Sequence, residues 1–203
     1  MRITVRIEVK MLKVEILTMS EILYLIRHAT PDWNRTDIPY FSPPGPPLNE
    51  QGVEEAQMLA NFFQFIGLKC IYSSPLERCL STAKAISHKT NSPLVIEAGL
   101  AEHRPDEPRA EVQTRLMPVF ERAVREAQQA PVALVTHGSP IEILLDRLGL
   151  SPAQLNDLKA RFDHHNPAPP AGVWEAVRSG DDWDLSLVLN PQDVRTENLY
   201  GRI

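Results

Sequence analysis

Two histidines and two arginines stand where chemistry could be done. The apolar run "LYLI" (23–26) ends in Arg27 and His28, and "VALVT" (132–136) ends in His137 followed by Gly138. A third segment, "IYSSPLER" (71–78), delivers Arg78 just past its own apolar stretch. Each residue taken singly has a bland reading, since a strand-end histidine is commonly a satisfied polar group and a helix-start arginine a solvated charge. Brought together at one end of a sheet they repel one another unless an anion joins them. Phosphate is the anion that guanidinium groups grip bidentately, with charge-assisted hydrogen bonds. A neutral imidazole is already a nucleophile near pH 7, so a histidine in such a nest can split one hard displacement into two easier ones without a metal.

The elements that position these residues alternate along the chain. "EILYLIRH" reads as a strand and "NEQGVEEAQMLANFFQFI" as a helix with Asn49 as its N-cap. "KCIYSS" reads as a strand, "PLERCLSTAKAISHK" as a helix opening at Pro75, and "PLVIEA" as a short strand. "AEVQTRLMPVFERAVREAQQ" is expected to be a helix bent at Pro118, and "PVALVTH" a buried strand. "SPIEILLDRLGL" is a helix closed at Gly149, and "AGVWEAVRSGDDWDLSLVL" a hairpin turning at "SGDD". The fold class this implies is α/β: a three-layer sandwich with a mostly parallel sheet and helices on both faces. In such a sheet a ligand sits beyond the carboxyl ends of the strands, where two of them finish in histidines.

Length and composition fit that architecture. The chain has 203 residues, 43% of them hydrophobic, enough for one domain with a sizeable core. The formal net charge of −5 argues against broad attraction to nucleic acid or an anionic membrane, though not against a local basic pocket. Cys70 and Cys79 lie in one short segment and read as reduced thiols of a cytoplasmic protein. No stretch is apolar enough to span a bilayer, and residues 1–20 carry charges where a signal peptide needs an unbroken apolar block. Those residues alternate Ile3, Val5, Ile7 and Val9 with polar side chains, so they form either an added edge strand or an extension outside the functional core. Residues 21–190 then form the domain, and 191–203 a tail. "SPPGPP" and "NPAPPAG" are loops too short to be linkers.

"LIRHATPDWN", "LNEQG", "YSSPLERCLSTA", "GLAEH" and "VTHGSPI", in this order, resemble the histidine phosphatase superfamily, the phosphoglycerate mutase-like fold, over roughly residues 22–177. The resemblance implies a catalytic set of His28, Arg27, Arg78, His137 and Glu102, with His28 the nucleophile that becomes a phosphohistidine. It also implies that Arg27, Arg78, His137, Asn34, Thr30 and Gly138 bind the phosphate. Glu102 is the implied proton donor, with Asp106 and Glu107 as alternatives, because "HRPDEPRAEV" lacks the Gly-x-Trp-Glu-Gly stretch of many relatives. Ala29 and Ser139 stand where relatives often carry glycine. Trp33 reads as packing at the core edge.

The expected activity is metal-independent hydrolysis of a small-molecule phosphate monoester, with no cofactor, no nucleic acid and no membrane partner; a homodimer is left open. Phosphoglycerate mutase-type transfer and a noncatalytic phosphoryl-binding domain are the alternatives. A metal-dependent rival starts from Asp163, His164 and His165 in "FDHHNP", whose histidines would point apart on an extended segment.

Overall fold

The computed structural model describes residues 21–193. Its six strands form one sheet in the order β3-β2-β4-β1-β5-β6. They are β1 (Ile22–Arg27), β2 (Cys70–Ser73), β3 (Leu94–Ile96), β4 (Val132–Thr136), β5 (Val173–Ser179) and β6 (Asp182–Leu189). β3, β2, β4 and β1 are mutually parallel, while β5 and β6 add an antiparallel hairpin at one edge. The expected three-layer sandwich is present.

The strand period of two builds both helical layers. Leu23 and Leu25 of β1, with Leu134 of β4, pack under α3 (Arg109–Ala127), α4 (Gly138–Arg147) and α5 (Pro152–Lys159). Tyr24 and Ile26, with Ala133 and Val135, face α1 (Glu50–Phe63) and α2 (Glu77–Thr90). Fully buried Phe63 meets the Tyr24 ring edge-on at 5.1 Å, tying α1 to the sheet. Asn49 caps α1, its side chain accepting from the Gly52 N–H at 2.7 Å. α1 then lies so close to the loop after β1 that a Cβ on Gly52 would stand 2.0 Å from the Thr30 carbonyl oxygen.

Several boundaries differ from the sequence expectation. Pro75 does not open α2; Ser74 Oγ accepts the Leu76 N–H at 3.3 Å, and this turn delays the helix to Glu77. α3 runs on through Pro118 as one element. α5 is additional: Ser151 and Gln154 form a capping box, but Leu155 is its only fully buried side chain, so it lacks the apolar stripe that announces a helix. The proposed N-terminal edge strand and most of the tail lie outside the described residues. Among the described residues no helix is long and apolar enough to cross a membrane.

Candidate active site

Strand register alone brings the histidines together. β1 and β4 are parallel with Arg27 opposite Thr136, so the next residues, His28 and His137, leave the sheet side by side. Both follow the alternation onto the α1/α2 face, and their rings meet edge-on at 5.1 Å. His28 is 1% exposed and His137 0%.

His28 has one consistent tautomer. Its Nδ1 lies 2.8 Å from the Ala29 carbonyl, which can only accept, so Nδ1 carries the hydrogen. Its Nε2 receives the Arg78 Nε–H at 3.2 Å, so the Nε2 lone pair faces the guanidinium. Burial, then the charges of Arg78 and Arg27, hold the His28 pKa well below the ordinary histidine value. The imidazole is neutral, with Nε2 as its basic atom.

The two arginines are buried beside it, and among the described residues each has a donor with no acceptor. Arg78 is 0% exposed; its Nη1 donates to the Tyr40 carbonyl at 3.0 Å, and its Nη2 has no partner. The loop carrying Tyr40 turns at Gly45, whose φ of +68° suits glycine and whose absent Cβ leaves room for Arg78 Nη1. Arg27 gives Nη1 and Nη2 to the two oxygens of Asp163, at 2.6 and 2.9 Å, and Nη1 also to the Ala168 carbonyl at 2.9 Å. Its Nε is left without a partner. The end of the guanidinium is therefore occupied, while its Nε/Nη2 side remains a fork for another anion.

Glu102 reaches the site from the loop after β3. Its Oε2 lies 3.9 Å from His137 Nδ1, its Oε1 accepts the His103 N–H at 2.8 Å, and Ser139 lines the same cavity. Burial raises its pKa above the usual carboxylate value, against that hydrogen bond and the nearby arginines. Arg115 holds the loop in shape. It donates to the carbonyls of Gly99, Ala101 and Glu102 and to both oxygens of Glu107.

That pairing sets the three carboxylates named as candidate proton donors in different surroundings. Arg115 holds the Glu107 pKa down to about 2, so Glu107 is a carboxylate committed to structure. Asp106 is exposed and sits 3.7 Å from Arg104. Of the three carboxylates, Glu102 alone lines the cavity beside Arg27.

Two expected phosphate contacts are not brought to this centre. Asn34 is exposed in a turn where its N–H donates to Asp32, and it lines a separate depression with Leu48 and Asn49. Thr30 gives its hydroxyl hydrogen to Glu55 at 2.7 Å, bracing α1 instead of a ligand. Gly138 does lie at the centre: it begins α4 next to His137, and a Cβ there would collide with the Asn166 side chain.

The Asp-His-His run is not a ligand cluster. Asp163 is bound to Arg27, and the segment is a 3-10 turn with His164 and His165 both at positive φ, not the extended chain expected. Among the described residues no group of three His, Cys, Asp or Glu side chains stands close enough to hold a metal ion.

The open cavity beside Arg27, about 400 Å³, is lined in part by residues the sequence did not single out, including Tyr40, Phe41 and Asn166. Trp33 belongs to it too: at 45% exposure it stands on the rim, stacked on Tyr40 at 5.4 Å, and does not cover the core.

The sequence model of the histidine phosphatase superfamily (branch 1) matches residues 23–106 and 101–168. Phosphoserine phosphatase 1 of Hydrogenobacter thermophilus is 36% identical over 80 residues, which is 39% of this chain and only 37% of that protein. Among solved structures, a mycobacterial glucosyl-3-phosphoglycerate phosphatase complexed with VO3 superposes with a TM-score of 0.68 at 21% identity, covering 84% of this chain and 99% of that one. Phosphoglycerate mutase from Bacillus anthracis does so with a TM-score of 0.66 at 18% identity, covering 89% and 99%. At such identities the structural likeness is one of fold.

Proposed function

The chain belongs to the histidine phosphatase superfamily, and from that footing we propose that it hydrolyses phosphate monoesters without a metal, through a phosphohistidine on His28. The observation that carries this is a neutral, buried His28 between two buried guanidiniums, each keeping a donor without an acceptor. A phosphoryl group supplies the missing oxygens.

In this reading the ester oxygens take the Arg78 Nε–H away from His28 Nε2 and also meet Arg78 Nη2 and the free side of Arg27. Nε2 then attacks phosphorus as the bond to the alcohol oxygen breaks, and Glu102 gives its proton to that oxygen. The ring becomes cationic as the N–P bond forms, and its Nδ1–H bond to the Ala29 carbonyl supports the charge. Glu102, now a carboxylate, accepts a proton from the water that attacks the phosphohistidine, so phosphate leaves and His28 is neutral again. The arginines and His137 meet the charge on the equatorial oxygens, the task a metal ion performs elsewhere.

Hydrolysis is preferred over mutase transfer because α3 begins at Arg109, so the stretch that bears Glu102 is short. A mutase has to hold its released product and reverse it before water attacks. Orthovanadate is expected to inhibit competitively, and EDTA to leave the rate unchanged. Loss of activity in EDTA, restored by manganese, sends the assignment to metal chemistry. An aryl phosphate left intact under both conditions points to a noncatalytic binding domain.

Asp163 takes a positioning role here: by holding the end of Arg27 it aims the other side at the phosphate. Asp163→Ala is expected to lower kcat/KM by up to ~10²-fold, since small misplacements of a clamp group cost that much. Vanadate affinity falls in parallel while the thermal midpoint moves little. Tighter vanadate binding in the variant instead makes Asp163 a competitor for Arg27.

A further inference from the structure

Resting on the hydrolase reading above, we propose that the leaving group of its substrates is a neutral alcohol carrying a planar aromatic or heteroaromatic ring, seated against Trp33. The cavity's free wall is aromatic. Trp33 lies nearly parallel to Tyr40, with 13° between planes and 5.4 Å between centres, and Phe41 meets Tyr40 edge-on at 5.0 Å. The Arg78 guanidinium carbon is 4.1 Å from the centre of the same Tyr40 ring, so the aromatic wall begins at the phosphate clamp and runs to the rim. There the Trp33 and His164 rings stand 5.1 Å apart and inclined by 48°, with nearly half of the Trp33 surface open. An indole exposed in this way at the mouth of a cavity of about 400 Å³ offers a stacking face to what the cavity admits.

Charge excludes the other class of substrate. Among the described residues Arg27 is the only arginine or lysine lining this cavity. One end of it is held by Asp163, and its free side is committed to the transferred phosphate. His103 lies within 2.6 Å of the Glu107 carbonyl through its Nε2, which leaves that nitrogen committed, and His164 projects into solvent with its side chain 66% exposed. The carboxyl group of Glu102 borders the same space. A carboxylate or second phosphate on the leaving group therefore finds no uncommitted cation among the described lining residues, while a neutral ring meets a stacking surface.

The test compares esters of alcohols with similar leaving ability: 2-naphthylmethyl phosphate, cyclohexylmethyl phosphate, O-phosphoserine and 3-phosphoglycerate. The naphthylmethyl ester is expected to have at least tenfold higher kcat/KM than each of the others, carried by KM, because stacking on an aromatic side chain is commonly worth about that factor. Trp33→Ala should collapse this preference and Trp33→Phe should restore most of it. A preference for phosphoserine or phosphoglycerate, or a ranking that survives Trp33→Ala, overturns the proposal. Equilibrium binding of 2-naphthylmethylphosphonate against phosphonoacetate reads the same ranking without turnover. A chain that hydrolyses none of the four esters sinks the hydrolase reading, and the phosphonate pair still decides the ring subsite.

Discussion

His28→Ala is expected to abolish turnover of every phosphate ester, with no graded residue of activity, because in the proposed mechanism it removes the atom that attacks phosphorus. The rest of the site then has a clamp and an acid but nothing to form the covalent bond. Folding should survive the change. The histidine sits at a strand end, outside the apolar clusters, and deleting it also removes a neighbour of two buried cations. Steady-state rates and the thermal midpoint, measured together, check both statements. The wild-type enzyme, quenched during turnover of a ³²P-labelled ester, should retain label after alkaline quenching and lose it in acid, since a phosphoramidate is acid-labile, and the variant should hold none under either condition. A His28→Ala protein that turns over at near-normal rates ends the mechanism, and label that persists through acid moves the covalent step to another nucleophile.

The legible part of this site is the part that depends on strand ends. A run such as "LYLIRH" states its own burial and its own terminus, and because β1 and β4 are parallel neighbours, His28 and His137 had to come out together. What could not be read is what depends on folding distant loops over those ends. Asp163 is 136 positions from Arg27, and nothing local in "FDHHNP" distinguishes a carboxylate aimed at an arginine from one aimed at a metal. Trp33 and Tyr40 stack across a proline-rich loop whose path no periodicity fixes. Asn34 and Thr30 lie away from the centre for a related reason: resemblance transfers a residue type along the chain, while a turn at Asp32 and a partner such as Glu55 decide where the residue goes. α5 escaped because its end signals are clear but its buried face is a single leucine.

Glu107 makes the same point about the proton donor. Three carboxylates within six positions look alike in sequence. Arg115, on the next helix, separates them by ionising one firmly and fixing the loop that buries another. An acid has to hold its proton near the working pH, and burial raises the Glu102 pKa in that direction while Arg115 lowers that of Glu107.

Glu102→Gln is therefore expected to slow hydrolysis of alkyl phosphates by ~10²- to 10⁴-fold, the usual contribution of general acid catalysis, because an alkoxide leaves poorly without a proton. Formation of the phosphoenzyme from p-nitrophenyl phosphate should barely change, since its leaving group departs as an anion. The pH profile carries the same signature. The proposed mechanism needs His28 neutral, which holds down to a pH well below the ordinary histidine value, and Glu102 protonated, which fails as pH rises past its raised pKa. With p-nitrophenyl phosphate the acid limb of kcat/KM thus belongs to His28. With alkyl esters an alkaline limb is added, and it disappears in Glu102→Gln; comparing the two enzymes on one ester cancels the ester's own ionisation. Glutamine keeps the shape and the bond from the His103 N–H while removing the titrating proton, so the variant isolates proton transfer from packing. Equal slowing of both ester types, with the alkaline limb intact, makes Glu102 a positioning group. Asp106→Asn should then be compared in the same two assays, since Glu107 is already ionised against Arg115 and has no proton to give.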